Sequence, residues 1–142
     1  MILVDVNLLL YAHDRSSPVH EATRLWLIRV LDGPEPVGFS WLGVVAFLRI
    51  STSPKIFQDP FSIEGAVKVV DYWFSQPAAT LLGAGEFHWT IFRDLLLKTG
   101  IKGNLVTDAH LAAIALEHDA TLLTRDRDFD QFPKLRVVNP LT

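Results

Sequence analysis

A chain of 142 residues, 49% hydrophobic and 20% charged, has the length and balance for a buried core, and one domain spanning residues 1–142 is expected. The absence of cysteine excludes disulfides, a thiolate metal site and a thiol nucleophile. A net charge of −3 excludes capture of a polyanion by the overall field, so any nucleic acid must be held by local patches and metal ions.

No apolar run approaches the ~18 residues of a membrane span. The N-terminus has no basic region ahead of an apolar stretch, and Asp5 interrupts the first such stretch. A cytoplasmic protein with no membrane partner is expected.

In chain order, Ile2–Val4 is a short β-branched run and predicts a buried strand. Ser17-Pro18 reads as a cap and first helical residue of a helix to about Leu31, with Ala22, Leu25, Trp26, Arg29 and Val30 at helical spacing. Asp32-Gly33-Pro34 ends it. Val37–Phe39 predicts a second strand, and Ser40 caps a helix through about Ile50. Lys55 to Phe61 reads as loop. Ser62 caps a third helix to Ser75, with Ile63, Ala66, Val67, Val70 and Phe74 on one face. Thr80–Leu82 predicts a strand, Phe87–Lys98 a helix closed by Thr99-Gly100, and Leu105–Glu117 another helix. Thr121–Leu123 and Arg136–Val138 predict the last strands. Short apolar strands alternating with helices argue for an α/β fold with a central parallel sheet covered on both faces.

In such sheets ligands bind beyond the carboxyl ends of the strands. Asp5 stands at the end of the first predicted strand. Asp108 lies in the first turn of the last long helix, and Asp126 and Asp128 follow the strand at Thr121–Leu123. If these ends converge, the carboxylates repel one another and need compensation. A divalent cation provides it, and an oxygen-only donor set favours Mg²⁺ or Mn²⁺. Asn7, Thr107 and Thr124 are polar neighbours. Each acid alone has a plainer role: Asp5 as a cap, Asp108 as a first-turn acid, Asp126 and Asp128 as turn residues. Their joint placement is the functional signal. The five histidines show no metal-ligand spacing, and no phosphate-binding or dinucleotide-binding glycine motif is present.

The ordered stretches "ILVDVNLLLYAHD", "AFLRISTSPKIF", "GNLVTDAHLAAIALEHDATLLTRDRDFDQF" and "LRVVNPL" cover nearly the whole chain. Together they resemble the PIN-domain family, and within it the VapC-type toxins of toxin–antitoxin pairs. The resemblance implies an α/β/α sandwich and a Mg²⁺-dependent endoribonuclease that leaves a 5′-phosphate and a 3′-hydroxyl. It also implies a cognate antitoxin and a homodimer. By resemblance Asp5 and Asp108 are metal ligands, Asp126 or Asp128 completes the catalytic set, and Asn7 and Thr124 line the site. One departure stands out: many members carry a glutamate just before "FLR", where this chain has Ala46. The alternative is therefore a catalytically weakened PIN-like module that binds RNA or protein. Arg125 and Arg127, with Arg15 or Arg49, are candidate RNA contacts at the rim of the acids. The early helices "LWLIRVL" and "WLGVVAFLRI" are apolar enough to receive an antitoxin segment.

Overall fold

A computed structural model describes residues 1–142. Five parallel strands form one sheet: β1 Ile2–Val4, β2 Val37–Phe39, β3 Ala79–Leu81, β4 Thr121–Leu123 and β5 Val137–Val138, in the order β3-β2-β1-β4-β5. Six helices surround it: α1 Val6–Tyr11, α2 His20–Leu31, α3 Trp41–Ser51, α4 Ile63–Ser75, α5 His88–Thr99 and α6 Leu105–Glu117.

The side-chain alternation of β1 builds the two layers. Ile2 and Val4 face one core with α1 to α4, where Leu8, Leu27, Phe47 and Trp73 are buried. Leu3 faces the other, with Leu95 of α5, the alanines of α6, and Phe129 and Phe132. Strands buried on both faces read as unbroken apolar runs, which is why these short segments are legible. The result is the parallel sheet covered on both faces that the alternation of elements predicts, and the α/β/α sandwich that the resemblance implies.

Local chemistry sets the helix starts. The Ser40 hydroxyl accepts from the Gly43 N–H at 3.0 Å and starts α3, and Ser62 does the same for α4 through the Gly65 N–H, also at 3.0 Å. Gly100, at φ +66°, takes the left-handed conformation that closes α5.

Three expectations need correction. First, α2 begins at His20, because Val19 (φ −105°, ψ 11°) is not helical; Ser17 and Pro18 form the turn before it, with the His20 N–H bonded to the Ser17 carbonyl at 3.1 Å. Second, α2 buries Thr23, Trp26, Leu27 and Leu31, while Leu25 is 47% exposed. Thr23 tolerates burial because its hydroxyl donates to the Val19 carbonyl at 2.7 Å. Third, α4 buries Ala66, Val70 and Trp73, and leaves Ile63, Val67 and Phe74 outward. Trp73 wins the inward position by stacking on Phe39 at 5.4 Å and meeting Phe47 edge-on at 4.7 Å.

The sheet order fixes where a site can form. From β1 the chain moves outward through β2 to β3, then returns to the opposite side of β1 for β4 and β5. The order reverses between β1 and β4, and the crevice beyond their carboxyl ends is where such sheets bind ligands.

Candidate active site

Asp5, Ser40 and Thr124 are the residues that immediately follow β1, β2 and β4, and all three are buried polar side chains. Asp5 caps α1: one carboxylate oxygen accepts from the Val6 N–H at 2.7 Å. The other accepts from the Thr124 hydroxyl at 2.7 Å, across the point where the strand order reverses. Thr124 also accepts from the Asn7 side-chain amide at 3.1 Å and from the Asp126 backbone N–H at 2.9 Å. A hydroxyl has one donor and two acceptor sites, so Thr124 is saturated. It ties the β1 end, the first turn of α1 and the β4 end into one rigid corner.

The Asp126 backbone is thereby fixed, and its side chain accepts from the Asp128 N–H at 2.9 Å, capping a short 3-10 helix over Arg127–Gln131. Asp108 reaches the same place from the first turn of α6. Carboxylate oxygens of Asp108, Asp126 and Asp128 all lie within 4.8 Å of one another. Asp5 stands outside that trio and lines an adjoining cavity with Asp108, Thr107 and Ser40, walled by Leu42, Gly43, Ala46 and Arg49 of α3.

The crowding shows in the proton affinities. Burial, followed by the charges of Asp126, Asp5 and Asp128, pushes Asp108 up to about 6. Burial also raises Asp5, against the hydrogen bonds from Thr124 and Val6 that favour its ionised form, with Asp126 adding repulsion. Four acids at one corner, with no cation paired to any of Asp5, Asp108, Asp126 or Asp128, form a site short of positive charge. The donors are all oxygen and their spacing suits one hard divalent ion. The residues present therefore fit a bound divalent cation.

The two arginines expected at the rim diverge. The Arg125 guanidinium lies over the Tyr11 ring, 5.3 Å from its centroid. The Arg127 side chain is 94% exposed and leans toward Asp130 at 3.8 Å. Both line a groove with Thr124, Asp126 and Asn139. Asn7 is held by Thr124, and its amide oxygen is buried without a partner. The histidines stay out of the site: His88 and His110 pair with each other at 2.8 Å between α5 and α6.

Ser40 was legible in the sequence only as a cap. Its place beside Asp5 follows from β2 pairing with β1, which no local pattern reports. Arg49 was one of several candidates, and the α3 wall singles it out.

An open parallel sheet with an acidic corner at its switch point defines a class of α/β proteins whose carboxylates converge where such sheets bind ligands. The particular family follows from comparison. The chain belongs to the PIN-domain family, in its VapC-type branch: the PIN domain profile matches residues 2–135. It is 39% identical over 140 residues to Ribonuclease VapC37 of Mycobacterium tuberculosis, covering 99% of this chain and 97% of that protein. Among solved structures it is similar to VapBC2 from Rickettsia felis bound to a promoter DNA fragment (TM-score 0.71, 21% identity, 98% of each chain). It is also similar to a toxin–antitoxin complex from Klebsiella pneumoniae (TM-score 0.68, 18% identity, 99% of this chain and 98% of that one). At those identities the structural likeness speaks for the fold. No helix is long and apolar enough to cross a membrane.

Proposed function

We propose that this protein is a Mg²⁺-dependent endoribonuclease, with Mn²⁺ as a substitute ion, and the toxic member of a toxin–antitoxin pair. The observation that carries the reading is the meeting of Asp108, Asp126 and Asp128 within 4.8 Å, beside Asp5, at the reversal of the strand order. The ribonuclease name of a relative at 39% identity over nearly the whole chain supports the substrate class.

When bound, a divalent ion supplies Lewis-acid chemistry: water of lowered pKa and counter-charge for the phosphodiester oxygens. The chain's own residues do the rest. Asp108, Asp126 and Asp128 would hold the ion, and Asp5 could add an oxygen from the adjoining cavity, since each of its oxygens keeps a lone pair beyond its one hydrogen bond. Thr124 and Asn7 keep Asp5 and Asp126 from moving apart. Thr107 and Ser40 complete the polar wall. Arg125 and Arg127 line the groove along which the RNA backbone runs. No protein nucleophile is required, and hydrolysis leaves a 5′-phosphate and a 3′-hydroxyl. Residues 1–142 act as one nuclease domain, in the cytoplasm, paired with a cognate antitoxin and a second copy of the chain.

Purified total RNA incubated with the isolated protein tests the proposal. Discrete fragments with Mg²⁺, lost with EDTA and with Asp5→Asn, are the expected result. Absence of cleavage by folded protein with either Mg²⁺ or Mn²⁺ would move the reading to the catalytically weakened binding module, with Ala46 as its cause.

A further inference from the structure

The arginines near the acids do different things. Arg127 points to solvent and Asp130, Arg125 covers Tyr11, and Arg15 lines a separate cavity with His13, Asp14 and Asp59. Arg49 alone lines the cavity that holds Asp5 and Asp108. It reaches that cavity from α3, where Leu42, Gly43, Ala46 and Arg49 present one stripe of the helix.

An arginine next to a crowd of carboxylates would be expected to pair with one. Arg49 does not: its exposed guanidinium has no carboxylate within 4.0 Å and no hydrogen bond to the protein. Ala46, one turn earlier on the same stripe, offers it nothing either. A glutamate at position 46 would sit at the (i, i+3) spacing that captures an arginine on a helix surface. Arg49 is thus left without a carboxylate partner on its own helix.

We propose that Arg49 binds a phosphate of the RNA backbone at the mouth of the acidic cavity. This rests on the ribonuclease reading. A phosphodiester entering a cavity lined by Asp5 and Asp108 is repelled, and a cation in the cavity wall offsets that repulsion where it arises. The planar guanidinium matches two phosphate oxygens at once, which a point charge does not.

The test is equilibrium binding of a fluorescein-labelled single-stranded RNA, measured over a range of salt concentrations with Mg²⁺ present. The protein carries Asp108→Asn so that the probe stays intact. Adding Arg49→Gln is expected to weaken binding by about tenfold or more. The slope of log K against log salt should become shallower by about 0.7, the share of one phosphate contact on a single strand. Arg49→Lys should restore the slope but not the full affinity. Lys98→Gln, on α5 in the opposite layer and paired with Asp94, should change neither. Affinity and slope unchanged by Arg49→Gln would overturn the proposal while leaving the ribonuclease reading intact. A parent that binds no RNA would overturn it too, and wild-type cleavage of total RNA then decides separately whether the ribonuclease reading survives.

Discussion

The Thr124 hydroxyl donates to Asp5 at 2.7 Å while accepting from Asn7 and from the Asp126 backbone, so one buried side chain holds two acids of the corner in register. Thr124→Val keeps the shape and removes all three bonds. It is expected to cost about 2–3 kcal/mol in urea unfolding, because the polar groups it leaves behind stay buried. Thr124→Ser keeps the hydroxyl and should cost about 1 kcal/mol, the value of one buried methyl. Equal costs for the two variants would contradict the role given to the hydroxyl.

Asp108 supplies a pH signature. Its folded value of about 6 exceeds its ordinary 3.8, so between those pH values the native state holds more protons than the unfolded one. Its contribution to stability is therefore full below about pH 4 and is lost as pH rises through about 6. Without metal, the stability of wild type relative to Asp108→Asn should fall across that window, and added Mg²⁺ should reverse the fall. A difference between the two proteins that rises with pH in EDTA would contradict the assignment.

The same variant separates fold from chemistry. Asp108→Asn should fold, melt no lower than wild type in EDTA, and lose more than about 100-fold in cleavage, beyond the usual cost of disturbing a residue that only supports a metal ligand. Full activity in this variant would remove Asp108 from the site.

Ala46→Glu adds a carboxylate to the cavity wall one turn before Arg49. Calorimetry with Mn²⁺ should show tighter binding than wild type. Unchanged Mn²⁺ affinity would mean that position 46 does not face the ion.

Gly38 tests the sheet. A Cβ there would stand 2.9 Å from the Ile2 carbonyl oxygen and 2.5 Å from Leu82, so Gly38→Ala should destabilise by about 1–3 kcal/mol in thermal or urea unfolding. A neutral effect would contradict the close approach of β2 to β1.

Much of this layout was legible in the sequence because the three central strands, β1, β2 and β4, are buried on both faces and the helices carry clear stops. The serine caps at Ser40 and Ser62, the glycine closing α5 and the span of α6 all follow from local chemistry. α1 was not legible. Val6–Tyr11 is a six-residue segment, apolar but for Asn7, too short to separate helix from strand by period, and the Asp5 cap starts the helix. The inward faces of α2 and α4 do not follow from hydropathy: Thr23 is buried because it satisfies its own hydroxyl, and Trp73 takes the inward position through its ring contacts. The acids could be picked out singly. Their convergence, and the cavity shared by Ser40, Ala46 and Arg49, depend on which strands are neighbours, a long-range fact that spacing does not carry.

The most direct measurement is a calorimetric titration of Mn²⁺ into the wild-type protein and into Asp108→Asn, with RNA cleavage assayed on the same samples. The account predicts saturable Mn²⁺ binding and cleavage in the wild type, with both lost in the variant. Equal Mn²⁺ binding by the two proteins, or cleavage that persists in the variant, would contradict the carboxylate corner as the metal-dependent nuclease centre.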